Sequence, residues 1–300
     1  MRILVLRALG LGDLLTAVPA LRGLRSAFPE AEITLAAPEW LTDVVDRIDA
    51  VDRLLPTGEL APIGFEEPDL AVNLHGRGPQ SVERLLATRP RRLITYADGA
   101  GHDERVSALE WPEDRHEVPR WCDLLQRHGI CCDPCDFRLR PAGERTGPIV
   151  IHPGASTGAR RWPAERYAAV AEALGPDVVV TAGPGELGLA RKITPNPFSG
   201  SLSELLDLVA TARLVICGDT GVAHVATAYR TPSVLLFGPV SPRLWGPLRG
   251  PHQVLWHGTT GDTFAEEPDP GLLEITPEEV LDAVGGALCG SESSARATSV

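Results

Sequence analysis

Four segments bring carboxylates, hydroxyls, arginines and a histidine to spacings that can do chemistry, and each follows a short apolar run. The most informative is Val215–Ala228, "VICGDTGVAHVATA". Its pattern predicts a strand ending at Cys217, a tight turn of Gly218, Asp219, Thr220 and Gly221, and a helix with His224 in its first turn. Backbone N–H groups at such a helix start, with the positive end of the dipole, suit a diphosphate. D-T-G also occurs in aspartic proteases, but those need two copies in hairpins, and here one copy leads into a helix. In "HPGASTGARRWP", His152–Pro163, Ser156 and Thr157 can donate to phosphate oxygens, and Arg160 or Arg161 can supply a fixed charge. In "TAGPGELGLA", Glu186 stands just beyond the glycines, placed to accept from a sugar or ribose hydroxyl or to favour a helix N-terminus.

The fourth segment lies near the start, "RALGLGDLLTAVPAL", Arg7–Leu21. Gly10 and Gly12 let another molecule approach the backbone beside Asp13. Asp13 can cap the helix that follows, or act as a general base on a hydroxyl within reach. The G-x-G spacing suggests a dinucleotide fingerprint, but the third glycine position is Leu15 and no acidic residue ends a second strand at the required distance.

"HGICCDPC", His128–Cys135, is poorly spaced for tetrahedral zinc, because adjacent Cys131 and Cys132 point apart. No D-x-D triplet occurs in the chain. A bound diphosphate would therefore be neutralised by arginines and helix dipoles rather than by a metal held on such a triplet, and no cofactor is expected.

These loops need a scaffold. Apolar runs, "RILVLR", "EITLAAP", "DLAVNLH" and "RRLITYA", then "PIVIHPG", "DVVVTAG", "RLVICGD" and "PSVLLFGP", alternate with helical patterns. That alternation implies parallel, doubly wound α/β sheets. Leu14, Ala17, Val18, Leu21, Leu24 and Phe28 recur at helical steps and predict a surface helix packed on a sheet. Length alone suggests two domains. The Pro- and Gly-bearing connector Arg138–Pro148 divides the chain into 1–143 and 144–290, and the small, polar residues 291–300 suggest a disordered tail. Ligands of open parallel sheets bind beyond the carboxyl ends of the strands, so two such sheets facing each other would share a site in a central cleft.

Forty acidic against 28 basic residues give a net charge of −12, which disfavours a polyanion such as nucleic acid as partner. Arg7 and Asp13 interrupt what would otherwise resemble a signal peptide, and no apolar run is long enough to span a membrane. The expectation is a soluble, cytoplasmic protein of a GC-rich bacterium, with six reduced cysteines and at most peripheral membrane contact.

Together, "GLGDLLTAVPALRGLRSAFPEAEITLAAP", "HPGASTGARRWPAERYAAVAEAL", "TAGPGE" and "CGDTGVAHVATAYRTPSVLLFGPVSP" resemble glycosyltransferase family 9, the ADP-heptose:lipopolysaccharide heptosyltransferases, in the family's order. The resemblance implies a GT-B fold: two Rossmann-like domains, the first binding an acceptor and the second a nucleotide sugar. It implies inverting transfer of a heptose or related sugar without a metal. Asp13 looks like the general base beside Gly10 and Gly12. Ser156, Thr157 and Arg160 fall at phosphate-contacting positions, Arg160 standing where heptosyltransferases usually have Lys. Glu186 matches the carboxylate that holds the nucleoside, and Asp219, Thr220, Gly221 and His224 match the sugar and diphosphate turn. The donor implied is ADP-heptose-like; the acceptor is a glycan or a small molecule. With no basic amphipathic helix in the first half, a soluble and even cationic acceptor is open. The competing readings are a GT-B nucleotide-sugar epimerase and a non-catalytic sugar- or nucleotide-binding protein.

Overall fold

The computed structural model describes residues 1–97, 103–140, 144–258 and 260–297. It divides into two compact units, Met1–Phe137 and Arg138–Val300, which meet at the start of the Arg138–Pro148 connector.

The first unit contains β1 (Arg2–Leu6), α1 (Leu11–Ala27), β2 (Glu32–Ala37), α2 (Thr42–Val45), β3 (Arg53–Pro56), β4 (Leu70–Asn73), α3 (Gln80–Ala87), β5 (Leu93–Tyr96), β6 (Val106–Leu109) and α4 (Glu117–Gln126). The sheet order is β3-β2-β1-β4-β5-β6, with every neighbouring pair parallel. Ile3, Leu4, Val5 and Leu6 are at most 1% exposed. An unbroken apolar run is what a central parallel strand needs, since both of its faces are covered.

α1 departs from the expected surface helix, for it is buried almost all round from Leu14 to Leu24. The cause is a second cover. α4 packs against it, and the cysteine-bearing segment seals the remaining side. A Cβ at Gly23 would fall 2.3 Å from Cys132 Sγ and 2.8 Å from the Cys131 carbonyl oxygen, so the lack of a side chain there admits the segment. Arg22 pairs with Asp136 beside it.

The second unit contains β7 (Ile149–His152), α5 (Ala164–Leu174), β8 (Val178–Val180), α6 (Leu187–Ala190), α7 (Leu202–Thr211), β9 (Leu214–Gly218), α8 (Gly221–Tyr229), β10 (Ser233–Leu236), α9 (Pro242–Trp245), β11 (His252–Leu255), α10 (Pro270–Glu274) and α11 (Pro277–Ala297). Its parallel sheet runs β11-β10-β9-β7-β8. Trp162 anchors the core under the β7 loop: it is 1% exposed, meets the Tyr167 ring edge-on at 4.9 Å, and donates from Nε1 to the Ile275 carbonyl at 3.0 Å. Burying so large a side chain is worth about 3–5 kcal/mol against truncation.

α11 continues through 291–297, where composition suggested a disordered tail. Val280, Val284 and Ala287 pin its first half to the core, and no proline stops the Ala-, Glu- and Arg-bearing run beyond. The remainder of the expected tail, 298–300, lies outside the described residues. Among the described residues no helix is long and apolar enough to cross a membrane.

β3, β6 and β11 add to the eight strands that the apolar runs predict, and all three are edge strands. Their burial is only partial, so their sequences lack the apolar runs that mark the central strands.

Candidate active site

The candidate residues fall into two groups, one in each unit. In the first unit β1 lies between β2 and β4, so the loops leaving β1 and β4 start side by side at the point where the chain reverses its winding. The β1 loop passes through Gly10, the N-cap of α1, and Asp13 stands in the first turn with Gly12. Asp13 Oδ2 accepts from the Gly10 N–H at 3.2 Å. A Cβ on Gly10 would sit 3.3 Å from that oxygen, a tight fit that glycine avoids.

Beneath Asp13 lies Arg7, 1% exposed. Its Nε donates to the Asp13 carbonyl at 2.9 Å, and its Nη2 lies 3.5 Å from Asp13 Oδ1. The same guanidinium donates to Thr16 Oγ1 at 3.1 Å, to Glu117 Oε1 at 2.9 Å, and to the Leu74 carbonyl. Glu117 also accepts from Trp121 Nε1 at 2.9 Å and pairs with Arg120. Arg7 stacks 4.9 Å from the Trp121 ring centroid, a cation–π contact in a largely dry setting. Two cations and two carboxylates thus balance one another, and one carboxylate, Asp13, keeps 31% of its side chain exposed. The arrangement fixes the orientation of a carboxylate that still reaches solvent.

In the second unit β7 lies between β9 and β8, so the loops after these three strands adjoin. Thr220 is the N-cap of α8 and makes no side-chain capping bond, so no Thr220 hydroxyl satisfies the first N–H groups of α8. Asp219 is nearly buried and its Oδ2 lies 3.3 Å from Arg160 Nη1. The turn Gly158–Arg160 packs so closely on β9 that a Cβ at Gly218 would meet the Arg160 carbonyl at 3.1 Å. Of the two arginines, Arg160 is the one at Asp219; Arg161 donates through Nε and Nη2 to the Ala155 carbonyl and braces the loop. Ser156 is exposed, whereas Thr157 Oγ1 donates to the Thr263 carbonyl at 2.7 Å. Segment 263–266 presses on this loop, with the Glu266 carbonyl occupying the space a Cβ on Gly158 would fill. His224, in the first turns of α8, meets the Trp245 ring edge-on at 6.0 Å.

Glu186 completes the group. Its Oε2 accepts from the Gly183 N–H at 2.7 Å and lies 3.7 Å from His152 Nε2. A Cβ on Gly154 would come within 2.1 Å of Oε1, so the carboxylate rests directly on the β7 loop. His152 Nδ1 shares a 2.9 Å hydrogen bond with Thr181 Oγ1, and burial holds its imidazole below the usual histidine range despite Glu186. Among the described residues no cluster of three or more His, Cys, Asp or Glu side chains could hold a metal ion.

Sequence reasoning missed Arg7, Glu117, Trp121 and His152. Arg7 gave a signal, a charge closing an apolar strand, but its partner Glu117 lies 110 residues away and has no local mark.

Comparison with known proteins supplies the frame for this geometry. Residues 123–268 match the family model described as glycosyltransferase family 9 (heptosyltransferase). Lipopolysaccharide heptosyltransferase 3 of Escherichia coli (strain K12) is 32% identical, over 79% of this chain and 82% of its own length. Lipopolysaccharide heptosyltransferase 2 of the same organism is 24% identical over 98% of this chain and all of its own. The solved structure of E. coli ADP-heptose LPS heptosyltransferase II superposes with a TM-score of 0.79 at 22% identity, covering 97% of this chain and 100% of that one. That likeness shows the fold, two Rossmann-like domains of the GT-B type.

Proposed function

The chain belongs to glycosyltransferase family 9, the heptosyltransferases, and on that premise we propose that this glycosyltransferase moves a heptose from ADP-heptose to a glycan hydroxyl, with inversion and without a metal. The observation that carries the proposal is Asp13, a half-open carboxylate locked from below by Arg7 and the Gly10 N–H at the carboxyl end of β1. The relatives' names supply the donor and the acceptor class, ADP-heptose and lipopolysaccharide.

In the proposed reaction Asp13 takes the proton from the acceptor hydroxyl as its oxygen attacks the anomeric carbon. The bond from that carbon to the diphosphate breaks on the opposite face, and ADP leaves with the electron pair. Arg160 and the N–H groups at the start of α8 take up the charge that develops on the leaving group. Asp219 orients Arg160 by their 3.3 Å contact. Ser156 supplies the hydroxyl to a phosphate oxygen, while Thr157 holds segment 263–266 on the loop. Thr220, Gly221 and His224 line the diphosphate and sugar, and Glu186 accepts from the ribose. Most of the acceleration then comes from orientation and from stabilising the diphosphate, with a cytoplasmic enzyme working on a saccharide held at the first unit.

Incubation with ADP-heptose and a heptose-terminated lipopolysaccharide core oligosaccharide, in excess EDTA, tests the proposal. One ADP released per glycosidic bond, with the anomeric configuration inverted by NMR, is the expected result. Isomerised ADP-heptose without acceptor, or retention of configuration, would contradict it.

A further inference from the structure

One polar group beside Asp13 has no role in the reaction as described above. His75 follows β4, whose loop starts next to that of β1. Its Nδ1 is buried and has no hydrogen-bond partner. Leaving a buried polar atom unpaired is costly, and such atoms are rare enough in folded proteins to need a reason.

The backbone around His75 is held with care. Arg7 donates to the Leu74 carbonyl with the same guanidinium that grips Asp13. Asn73, fully buried, accepts the His75 N–H at 3.1 Å and donates to Ser81 Oγ and Thr95 Oγ1, both at 3.0 Å. One buried cation therefore positions both the Asp13 turn and the His75 turn, yet the imidazole is untethered and only half-buried, so that Nδ1 is enclosed while the rest of the ring stays open to a ligand. Burial and the Arg7 charge hold His75 below the usual histidine range, opposed by the weaker pull of Glu59 and Asp13. At neutral pH the ring is uncharged, with one N–H to donate and one lone pair to accept.

We propose that His75 is an acceptor-positioning residue, whose imidazole hydrogen-bonds the acceptor saccharide and holds the attacking hydroxyl against Asp13. The role rests on the transferase reading above and deepens it. A neutral ring suits a polyol, which offers hydroxyls that both donate and accept; it offers no charge to a phosphate.

The test compares full-length wild type, His75→Ala and His75→Gln in transfer from ADP-heptose to deacylated, heptose-terminated core oligosaccharide. Loss of one neutral hydrogen bond raises the acceptor KM of His75→Ala about tenfold. The change in kcat at saturating acceptor is smaller, ADP affinity is unaltered, and Gln, which also donates and accepts, restores the KM. An acceptor KM in His75→Ala equal to wild type overturns the role, as does a shared loss of kcat and melting temperature in Ala and Gln alike. The two readings fail separately. A wild type that transfers nothing to this acceptor overturns both, whereas a normal KM in an active His75→Ala overturns only the role of His75.

Discussion

The two units place their chemistry on the same scaffold, the loops around the reversal point of a parallel sheet, but they hold it by different physics. In the first unit the Asp13 carboxylate is fixed by a buried ionic lattice: Arg7, Glu117, Arg120 and Trp121, drawn from both ends of the unit. In the second, the residues are fixed by backbone: close approaches at Gly154, Gly158 and Gly218, and the start of α8. A base needs one orientation throughout turnover, and a lattice of paired charges resists rotation. In the proposed reaction a diphosphate must enter and leave the second unit, and backbone N–H groups would meet it without reorganising.

This contrast can be broken at several points. The largest effect is expected at Glu117→Gln. Removing one charge leaves buried Arg7 and Arg120 short of a counter-ion, and destabilisation of about 3–5 kcal/mol follows. Calorimetric melting should show it as an early transition of the first unit, with ADP affinity of the remaining native protein unchanged. Next is Arg160→Ala, which removes the proposed charge-assisted contact to the diphosphate and takes from Asp219 its cationic neighbour at 3.3 Å. ADP affinity should fall about a hundredfold by titration calorimetry, and the melting temperature should fall as well, because the nearly buried Asp219 carboxylate loses the cation beside it. Glu186→Ala should be milder, about tenfold in ADP affinity, because only the single proposed contact to the ribose is lost. If Glu117→Gln weakened ADP binding as much as Arg160→Ala, the division of labour between the units would be wrong.

The smallest effect is a pH dependence. Burial, with Arg230 and Arg145 nearby, pushes His252 down to about 4 from 6.5. Its folded value lies below its unfolded one, so its contribution to stability is complete above about 6.5 and is lost as pH falls toward 4. His252→Gln should flatten the melting temperature over that window, and a slope equal to wild type would remove His252 as its source.

The same contrast governs what the sequence revealed. The second unit's candidates were legible because the physics is local: glycine, hydroxyl and arginine stand within a few residues of one strand end. Central strands were legible too, since burial on both faces leaves an unbroken apolar run. The edge strands β3, β6 and β11 were not, because each is partly solvent-facing and its composition merges with loops; β8, also at an edge, was legible because three consecutive valines mark it. α1 was read as a surface helix because its apolar stripe was visible, while its cover, α4 and the cysteine segment, lies about a hundred residues later in the chain. Arg7 was legible only as an interruption. A buried ion pair is a statement about two residues, and Glu117 looks like any helix-opening glutamate.

The central claim is that Asp13 acts as base while the second unit binds the nucleotide independently of it. Asp13→Asn keeps the shape of the side chain and its hydrogen-bonding reach but removes the basic oxygen. Transfer from ADP-heptose to the core oligosaccharide should fall by about a hundredfold or more, with ADP affinity within error of wild type. Transfer by Asp13→Asn at the wild-type rate would contradict the account at its centre.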